Sequence, residues 1–219
     1  MTPPPVLLCD LDGVIRHWPG HGRRRGEQLA GIPQGSIREL GYGMEFALAN
    51  VGVFTHEQWL KAVRGHLVDR FGPKASEAIG PWQDDPGTVD PEMVALLRRV
   101  RAGGTPIGLL TNNTTGLHRD LDRLGLTDLF TVVVNSAEAE VIKPAPAIYR
   151  IAAEALQVVP ERVFFIDNKL ENVLAARYVG MRAEQFTTVE DFAEHLTAIG
   201  IPVSDGQSEV AGEKVGNES

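Results

Sequence analysis

The sequence contains one cysteine, Cys9, among its 219 residues, so it cannot form an intrachain disulfide. This cysteine usage suits a reducing compartment. Long apolar runs are also missing, since none approaches the roughly 18 residues that a membrane-spanning helix requires. The first residues, Met-Thr-Pro-Pro-Pro, lack the basic and apolar regions of a signal peptide. We therefore expect a cytoplasmic protein that has no membrane partner.

Basic residues are scarce relative to acidic ones. The chain has 21 Lys and Arg residues against 29 Asp and Glu residues, which gives a net charge of -8 and a pI near 5.3. Nucleic-acid-binding proteins normally present a basic face, so this balance argues against a nucleic-acid partner. The acidic excess fits either solubility or a cation site, and composition does not separate the two.

Short apolar segments alternate with helical patterns over most of the chain. Residues 6–9 are typical of a buried strand, and from about residue 88 strands alternate with helices of roughly ten to fifteen residues. This alternation predicts right-handed βαβ units and therefore an α/β fold with a parallel sheet.

Residues 16–87 interrupt this series after the first strand. They are punctuated by Gly and Pro, show no convincing strand and contain a helical pattern over residues 57–71. We interpret them as an inserted, small helical cap, with residues 1–15 and 88–203 forming the core. Residues 204–219 are polar and are predicted to be disordered.

The predicted strands end in polar residues whose chemistry is complementary. In chain order these ends are Asp10-Leu11-Asp12-Gly13, Thr111-Asn112-Asn113, Lys143-Pro144 in the loop after the third strand, and Asp167-Asn168. Ligands of open parallel sheets bind beyond the carboxyl ends of the strands. We therefore expect these segments to form one site.

Asp10 and Asp12 are predicted to act on a phosphate ester. Two carboxylates so close in sequence repel each other unless a cation lies near them, and Mg²⁺ prefers such oxygen ligands. One Asp10 oxygen can bind the metal while the other attacks phosphorus, and Asp12 can then serve as the general acid and base. Gly13 permits a tight turn. Taken alone, this motif leaves a solvated acidic turn as an alternative.

The other strand ends each have a functional and a structural interpretation. Thr111 can bind phosphate oxygens next to a helix N-terminus, or it can cap that helix. Lys143 can offset the charge between phosphate and carboxylates, or it can be a plain surface lysine. Asp167 and Asn168 can complete a metal shell, or they can cap the following helix.

Together these segments resemble the four motifs of the haloacid dehalogenase-like hydrolase superfamily, in the phosphatase-type branch with a helical cap inserted after the first motif. The match covers about residues 6–15 and 88–186, with the motifs in the right order. The resemblance implies a Rossmann-like core with helices on both faces, a mobile helical cap, and Mg²⁺ with an aspartyl-phosphate intermediate.

The resemblance also implies a role for each motif residue. Asp10 would be the nucleophile and a metal ligand, and Asp12 would be the acid/base and would bind metal through its backbone oxygen. Thr111 and Asn112 would bind phosphate or substrate. Lys143 would steady the phosphate and Asp10.

Motif four departs from the family pattern. Phosphatases of this branch often carry two adjacent acids there, and the second commonly touches the metal. Here the second position is Asn168, whose amide oxygen brings no charge. We expect either that Asp167 takes over as a ligand or that Mg²⁺ binds with lower affinity.

The predicted function is Mg²⁺-dependent hydrolysis of a small phosphate monoester, such as a sugar phosphate or a nucleotide. A phosphomutase, a haloacid dehalogenase and a non-catalytic ligand-binding protein are the alternatives. A carboxyl at Asp12 favours the phosphatase over the dehalogenase, because an alkoxide leaving group needs a proton and a halide does not.

Within the cap, the Arg23-Arg24-Arg25 run is predicted to be a solvated loop, with contact to an anionic substrate over the active site as the alternative. Trp18, His17 and His21 are expected either at the pocket entrance or in ordinary cap packing. The sequence does not specify the physiological substrate or the oligomeric state.

Overall fold

The computed structural model describes residues 6–204. Its strands, in chain order, are β1 (Val6–Cys9), β2 (Arg16–His17), β3 (Thr88–Val89), β4 (Ile107–Thr111), β5 (Val132–Asn135), β6 (Val163–Asp167) and β7 (Arg182–Gln185). Five of them form a wholly parallel sheet in the order β5-β4-β1-β6-β7. The predicted α/β fold with a Rossmann-like parallel sheet is thereby confirmed.

Helices connect these strands. They are α1 (His21–Ala30), α2 (Ser36–Gly41), α3 (Met44–Asn50), α4 (His56–Phe71), α5 (Ile79–Gln83), α6 (Pro91–Ala102), α7 (Leu117–Arg123), α8 (Ser136–Ala139), α9 (Pro146–Ala155), α10 (Leu170–Tyr178) and α11 (Val189–Ala198), with short 3₁₀ helices at Pro73–Ala78, Thr127–Leu129 and Pro160–Arg162. Among residues 6–204, no helix combines the length and the apolarity that crossing a bilayer requires.

The central strand β1 is buried on both faces of the sheet, as a covered parallel strand should be. Because successive strand side chains point to opposite faces, Leu7 and Cys9 join one apolar cluster with α6, α7 and α11, whereas Leu8 joins another with α9 and α10. This packing on both faces leaves the next residue, Asp10, at the carboxyl edge of the sheet.

Two of these helices begin at a side-chain cap. The helix predicted over residues 57–71 is α4, which starts at a capping box formed by Thr55 and Gln58. Helix α6 follows the cap residue Asp90, whose carboxylate accepts from two backbone N–H groups of its first turn. Local capping chemistry thus sets both starts.

One prediction about the inserted segment is wrong, because it does contain a strand. Strand β2 pairs antiparallel with β3, so that Arg16 lies opposite Val89 and His17 opposite Thr88. A two-residue strand is too short to show the alternation on which strand prediction depends. The pairing therefore holds the start of the inserted segment next to the strand that directly follows its end.

Helices α1 to α5 have an apolar cluster of their own. Its buried members are Ala30, Ile37, Ala49, Trp59, Leu60, Val63, Leu67, Ala75, Ala78, Ile79 and Trp82. This separate cluster supports the division into a core and a cap over residues 16–87, which stays a prediction. The segment predicted to be disordered lies outside the described residues except for Ser204.

Candidate active site

Three chain segments converge on a buried ammonium group at the carboxyl edge of the sheet. Lys143 Nζ donates to Asp10 Oδ1 and to Asp167 Oδ2, each at 2.7 Å, and to the Leu110 carbonyl at 2.9 Å. Asp10 follows β1, Leu110 lies in β4 and Asp167 ends β6, which are neighbours in the sheet. Lys143 is only 4% exposed, so the interpretation as a plain surface lysine is wrong.

Burial and crowding of like charges dominate the electrostatics of this centre. Burial raises the pKa of Asp10 to about 6, although the Lys143 ammonium opposes that rise and Asp167 adds to it. Burial by itself would lower the pKa of Lys143, but the two carboxylates outweigh it and the pKa is raised. Lys143 therefore stays charged, and a further cation beside Asp10 would favour its carboxylate form.

Asp167 is fully buried, and both of its oxygens accept hydrogen bonds. Oδ2 accepts from Asn172 Nδ2 at 2.9 Å as well as from Lys143, and Oδ1 accepts from the backbone N–H of Lys169 at 2.8 Å. The carboxylate thus holds the ammonium group and the turn that begins α10.

Two buried side-chain oxygens at this edge have no hydrogen-bond partner within the described residues. They are Thr111 Oγ1 and Asn168 Oδ1. Buried polar atoms in folded proteins are almost always paired. An unpaired hydroxyl and an unpaired amide oxygen beside Asp10 therefore fit a phosphate oxygen and a cation, respectively.

Motif one and motif four are in direct contact through a glycine. Gly13 has φ of 90°, and a Cβ atom added there would collide with the Asn168 side-chain amide. Glycine is required at this position because it tolerates the backbone angle and leaves room for the amide. The contact keeps Asn168 next to the Asp10–Asp12 turn.

The Asp12 carboxylate is 33% exposed and accepts hydrogen bonds from several side chains. Arg16 donates from Nε at 2.7 Å and from Nη2 at 3.0 Å, Trp18 Nε1 donates at 2.7 Å, and Asn113 Nδ2 donates at 3.4 Å. Arg16 is itself fully buried and donates from Nη1 to Asp120 at 3.1 Å. The Arg16 guanidinium therefore bridges the carboxylates of Asp12, the predicted acid/base, and Asp120.

Sequence reasoning missed both Arg16 and Asp120. The spacing of four residues between Asp12 and Arg16 was an available signal, because a side chain that near in sequence can reach back to a turn. No signal pointed to Asp120, which is 104 residues from Arg16 in the chain.

Motif two is arranged differently from the expectation. The Asn112 side chain accepts from the Lys143 backbone N–H at 2.8 Å and donates to the Lys143 carbonyl at 2.9 Å, so it positions the lysine loop. Helix α7 starts only at Leu117, so the N-terminus of the helix that follows Thr111 is not next to it. Thr111 therefore caps no helix.

A cavity of about 290 Å³ lies between the cap and the core, on the side of the site where Asp12 is placed. Its lining includes Trp18 and Arg23, but neither His17 nor His21 lines it. The arginine run belongs to α1, so the predicted loop is wrong there. Helix α1 directs Arg23 to this cavity.

The donor set available to a cation is mixed. Within residues 6–204, no group of three His, Cys, Asp or Glu side chains is placed to hold a metal ion by itself. The candidate ligands at this edge are the carboxylate oxygens of Asp10, the unpaired side-chain oxygen of Asn168 and backbone carbonyl oxygens. Hard oxygen donors of this kind, completed by water and phosphate oxygens, are the ligands that Mg²⁺ accepts.

Comparison with known proteins identifies the family that the four motifs resemble. The family model for haloacid dehalogenase-like hydrolases matches residues 6–180. A phosphoglycolate phosphatase of Cereibacter sphaeroides is 29% identical over 195 residues, which cover 84% of this chain and 85% of that protein. A phosphoserine phosphatase of Thermus thermophilus is 38% identical over 95 residues, which cover 42% of this chain and 38% of that protein.

A solved structure of a haloacid dehalogenase (HAD) family enzyme of Bacteroides thetaiotaomicron, in complex with magnesium and inorganic phosphate, is also similar. It superposes with a TM-score of 0.72 at 18% identity, over 88% of this chain and 99% of that one. This likeness concerns the fold. With the family match, the phosphatase relatives and the parallel sheet carrying the four motifs, the chain belongs to the haloacid dehalogenase-like hydrolases as a phosphatase-type enzyme.

Proposed function

We propose that this enzyme hydrolyses a small phosphate monoester with Mg²⁺ as cofactor and with Asp10 as the covalent nucleophile. The observation that carries the proposal is the buried Lys143 ammonium, 2.7 Å from both Asp10 and Asp167. A folding chain gains little from burying such a charged cluster. A phosphoryl-transfer site, in contrast, needs a nucleophilic carboxylate with a cation fixed beside it.

The residues divide the reaction between them. An Asp10 oxygen attacks phosphorus, the bond from phosphorus to the alkoxide oxygen breaks, and Asp12 gives its proton to that oxygen. Water then attacks phospho-Asp10, Asp12 takes the proton from that water, and inorganic phosphate leaves with Asp10 regenerated. Thr111 Oγ1 binds a phosphoryl oxygen, and the Lys143 ammonium offsets the charge of the phosphoryl group while it holds Asp10.

We propose Asp10, Asn168 and the backbone carbonyl of Asp12 as the direct Mg²⁺ ligands. The ion would offset the charge that phosphate brings next to the carboxylates. Asp167, the fourth predicted ligand, contributes its charge through Lys143, because both of its oxygens already accept hydrogen bonds. A neutral amide in place of a second acid supports a site of modest Mg²⁺ affinity.

The position of Asp12 favours a phosphatase over a dehalogenase. Its carboxylate lies at the cavity, held in one orientation by Arg16 and Trp18, where the leaving group of a bound ester would extend. An alkoxide leaving group uses the proton that Asp12 supplies, and a halide does not. We expect a small phosphorylated metabolite as the substrate, and a cytoplasmic location stays a prediction from cysteine usage.

Phosphate release from p-nitrophenyl phosphate tests the proposal. The purified full chain is assayed with Mg²⁺ and with a chelator, beside Asp10→Asn and the matched control Asp69→Asn, which removes an exposed carboxylate of α4. We expect Mg²⁺-dependent release that Asp10→Asn abolishes and Asp69→Asn retains.

Other outcomes identify the alternatives. Halide release from 2-chloropropionate would indicate a dehalogenase, and an isomeric sugar phosphate without phosphate release would indicate a mutase. No turnover of any phosphate ester in the presence of Mg²⁺ would indicate a ligand-binding protein and would refute the proposal.

A further inference from the structure

The cavity beside Asp12 has a wall of aromatic rings supplied by the cap. All three tryptophans of the chain line it. Trp59 and Trp82 pack with ring centroids 5.1 Å apart at 78°, and Phe46 lies 5.0 Å from Trp59 at 45°. Tyr42 completes the wall, 4.9 Å from Phe46. Rings in such edge-to-face and tilted arrangements accept a further aromatic ring in the same geometry.

The rings are held in place by contacts outside the cavity. Trp59 Nε1 donates to the Gly41 carbonyl at 2.6 Å, and Trp59 and Trp82 belong to the buried cluster of the cap. Tyr42 is 42% exposed and Phe46 is half-buried, so these two retain surface that a ligand can cover. The wall is therefore formed before a ligand arrives.

Most charged groups around the cavity are already paired with one another. Its lining contains three arginines and three aspartates, namely Arg16, Arg23, Arg119, Asp12, Asp85 and Asp120. Arg16 binds both Asp12 and Asp120, and Arg119 lies 3.7 Å from Asp120. The Arg23 guanidinium lies over the Tyr42 ring, 5.8 Å from its centroid.

His56 adds no charge to this lining. Arg119 Nη2 lies 3.2 Å from His56 Nε2, and a guanidinium can only donate, so Nε2 accepts and the ring proton resides on Nδ1. Nδ1 then donates to Thr114 Oγ1 at 2.7 Å. Burial, followed by the charge of Arg119, lowers the pKa of His56, in agreement with a neutral ring.

The cavity lies where the alcohol part of a phosphate ester must extend. In the proposed reaction the phosphoryl group occupies the space between Asp10, Thr111 and Lys143, and Asp12 meets the leaving oxygen. Asp12 lines the cavity, whereas Asp10 and Lys143 do not. The part of the substrate beyond the leaving oxygen therefore contacts the aromatic wall.

From this arrangement we infer that the preferred substrate is a phosphate monoester whose alcohol part is uncharged and carries a planar apolar group such as a phenyl ring. The inference rests on the proposed phosphatase function. It sets the substrate apart from esters whose alcohol part carries a carboxylate or an ammonium group, because most charged groups of the lining are already paired with one another and the rings supply no counter-charge to such a group.

A matched pair of alkyl phosphates tests the inference. 2-Phenylethyl phosphate and ethyl phosphate both release a primary alcohol, so they differ in the ring and not in the reacting bond. We expect kcat/KM for 2-phenylethyl phosphate to exceed that for ethyl phosphate by at least about tenfold, as apolar pockets discriminate on this scale. We expect it to exceed the values for 2-phosphoglycolate and phosphoserine as well.

A pair of variants on one helix locates the preference. Phe46→Ala removes a wall residue of α3, and Met44→Ala removes a side chain of the same helix that is 71% exposed and does not line the cavity. The ratio of the two kcat/KM values is expected to fall on the order of fivefold in Phe46→Ala. It is expected to stay unchanged in Met44→Ala.

Binding of phosphonates provides a readout that needs no turnover. 3-Phenylpropylphosphonate and propylphosphonate are the non-hydrolysable counterparts of the two esters, and quenching of tryptophan fluorescence reports their binding because Trp18, Trp59 and Trp82 all line the cavity. Equal dissociation constants, or a higher kcat/KM for phosphoglycolate than for 2-phenylethyl phosphate, would overturn the inference and leave the phosphatase function standing. Tighter binding of the phenyl compound without hydrolysis of any ester would support the inferred ligand class and refute the phosphatase function.

Discussion

Arg16→Met is expected to lower both stability and turnover, for two separable reasons. Arg16 is fully buried and binds two carboxylates, Asp12 at 2.7 Å and 3.0 Å and Asp120 at 3.1 Å. The Asp120 side chain is 11% exposed, so methionine would leave a nearly buried carboxylate without this partner. Burial already raises the pKa of Asp120, and Arg16 is the largest influence that lowers it.

The stability effect follows from that unpaired carboxylate. Breaking a buried ion pair by removing one partner costs about 3–5 kcal/mol. We take the lower end, about 3 kcal/mol, because Arg119 lies 3.7 Å from Asp120 and compensates part of its charge. For a chain of this length, that corresponds to a fall in Tm of roughly 6–12 °C, which differential scanning calorimetry measures.

The activity effect follows from the loss of two donors to Asp12. General acid–base catalysis contributes on the order of 10²–10⁴-fold, so a misoriented Asp12 should lower kcat by at least about tenfold. Arg25→Met, which removes an exposed arginine of α1, is the matched control and should change neither quantity.

The double variant Arg16→Met/Asp120→Asn separates the two effects. It removes the charge that the single variant leaves unpaired, so part of the lost Tm should return. Asp12 still lacks its donors, so kcat should stay low. Recovery of kcat together with Tm, or a normal kcat in Arg16→Met, would refute the view that Arg16 orients Asp12.

Three further variants test the centre itself. Asn168→Asp supplies the charge that motif four lacks, so half-maximal activity should need about tenfold less Mg²⁺. The Tm measured in chelator should fall, because another carboxylate joins Asp10 and Asp167. An unchanged Mg²⁺ titration would contradict the assignment of Asn168 as a ligand. Lys143→Met leaves Asp10 and Asp167 without their shared cation. It should lower the free energy of unfolding, measured with urea, by about 3–5 kcal/mol, and Mg²⁺ should restore part of that loss. A loss below about 1 kcal/mol would contradict a stabilising role of the ammonium group. Gly13→Ala should lower the free energy of unfolding by at least about 1 kcal/mol, because the φ of this residue is 90°. It should also raise the Mg²⁺ concentration needed for activity, because the added Cβ would displace Asn168. A normal Mg²⁺ requirement would show that this contact does not position the amide.

The core strands and the motif residues were predictable from the sequence because their signals are local. Residues 6–9 and 163–166 are apolar runs that end in aspartate, and the helix after Asp90 carries its own cap. A parallel sheet places all carboxyl ends of its strands at one edge, so strand order along the chain sufficed to group Asp10, Thr111 and Asp167.

The roles of individual side chains within that group were decided by tertiary structure. Asn112 lies in its predicted motif, yet its amide holds the Lys143 backbone, because the loop after β5 returns to that point. The pairing of Arg16 with Asp120 joins residues 104 apart, and no periodicity or spacing encodes it.

The cap is the part of the chain about which the sequence was least informative. Its helix over residues 57–71 was predictable from apolar periodicity, but the aromatic wall gathers Trp18, Tyr42, Phe46, Trp59 and Trp82 from separate segments. Local sequence determined which elements form and which residues end the core strands, because hydrophobic period and capping act over a few residues. Only tertiary packing decided which rings and charges surround Asp12, because those contacts depend on how the inserted helices lie against the core.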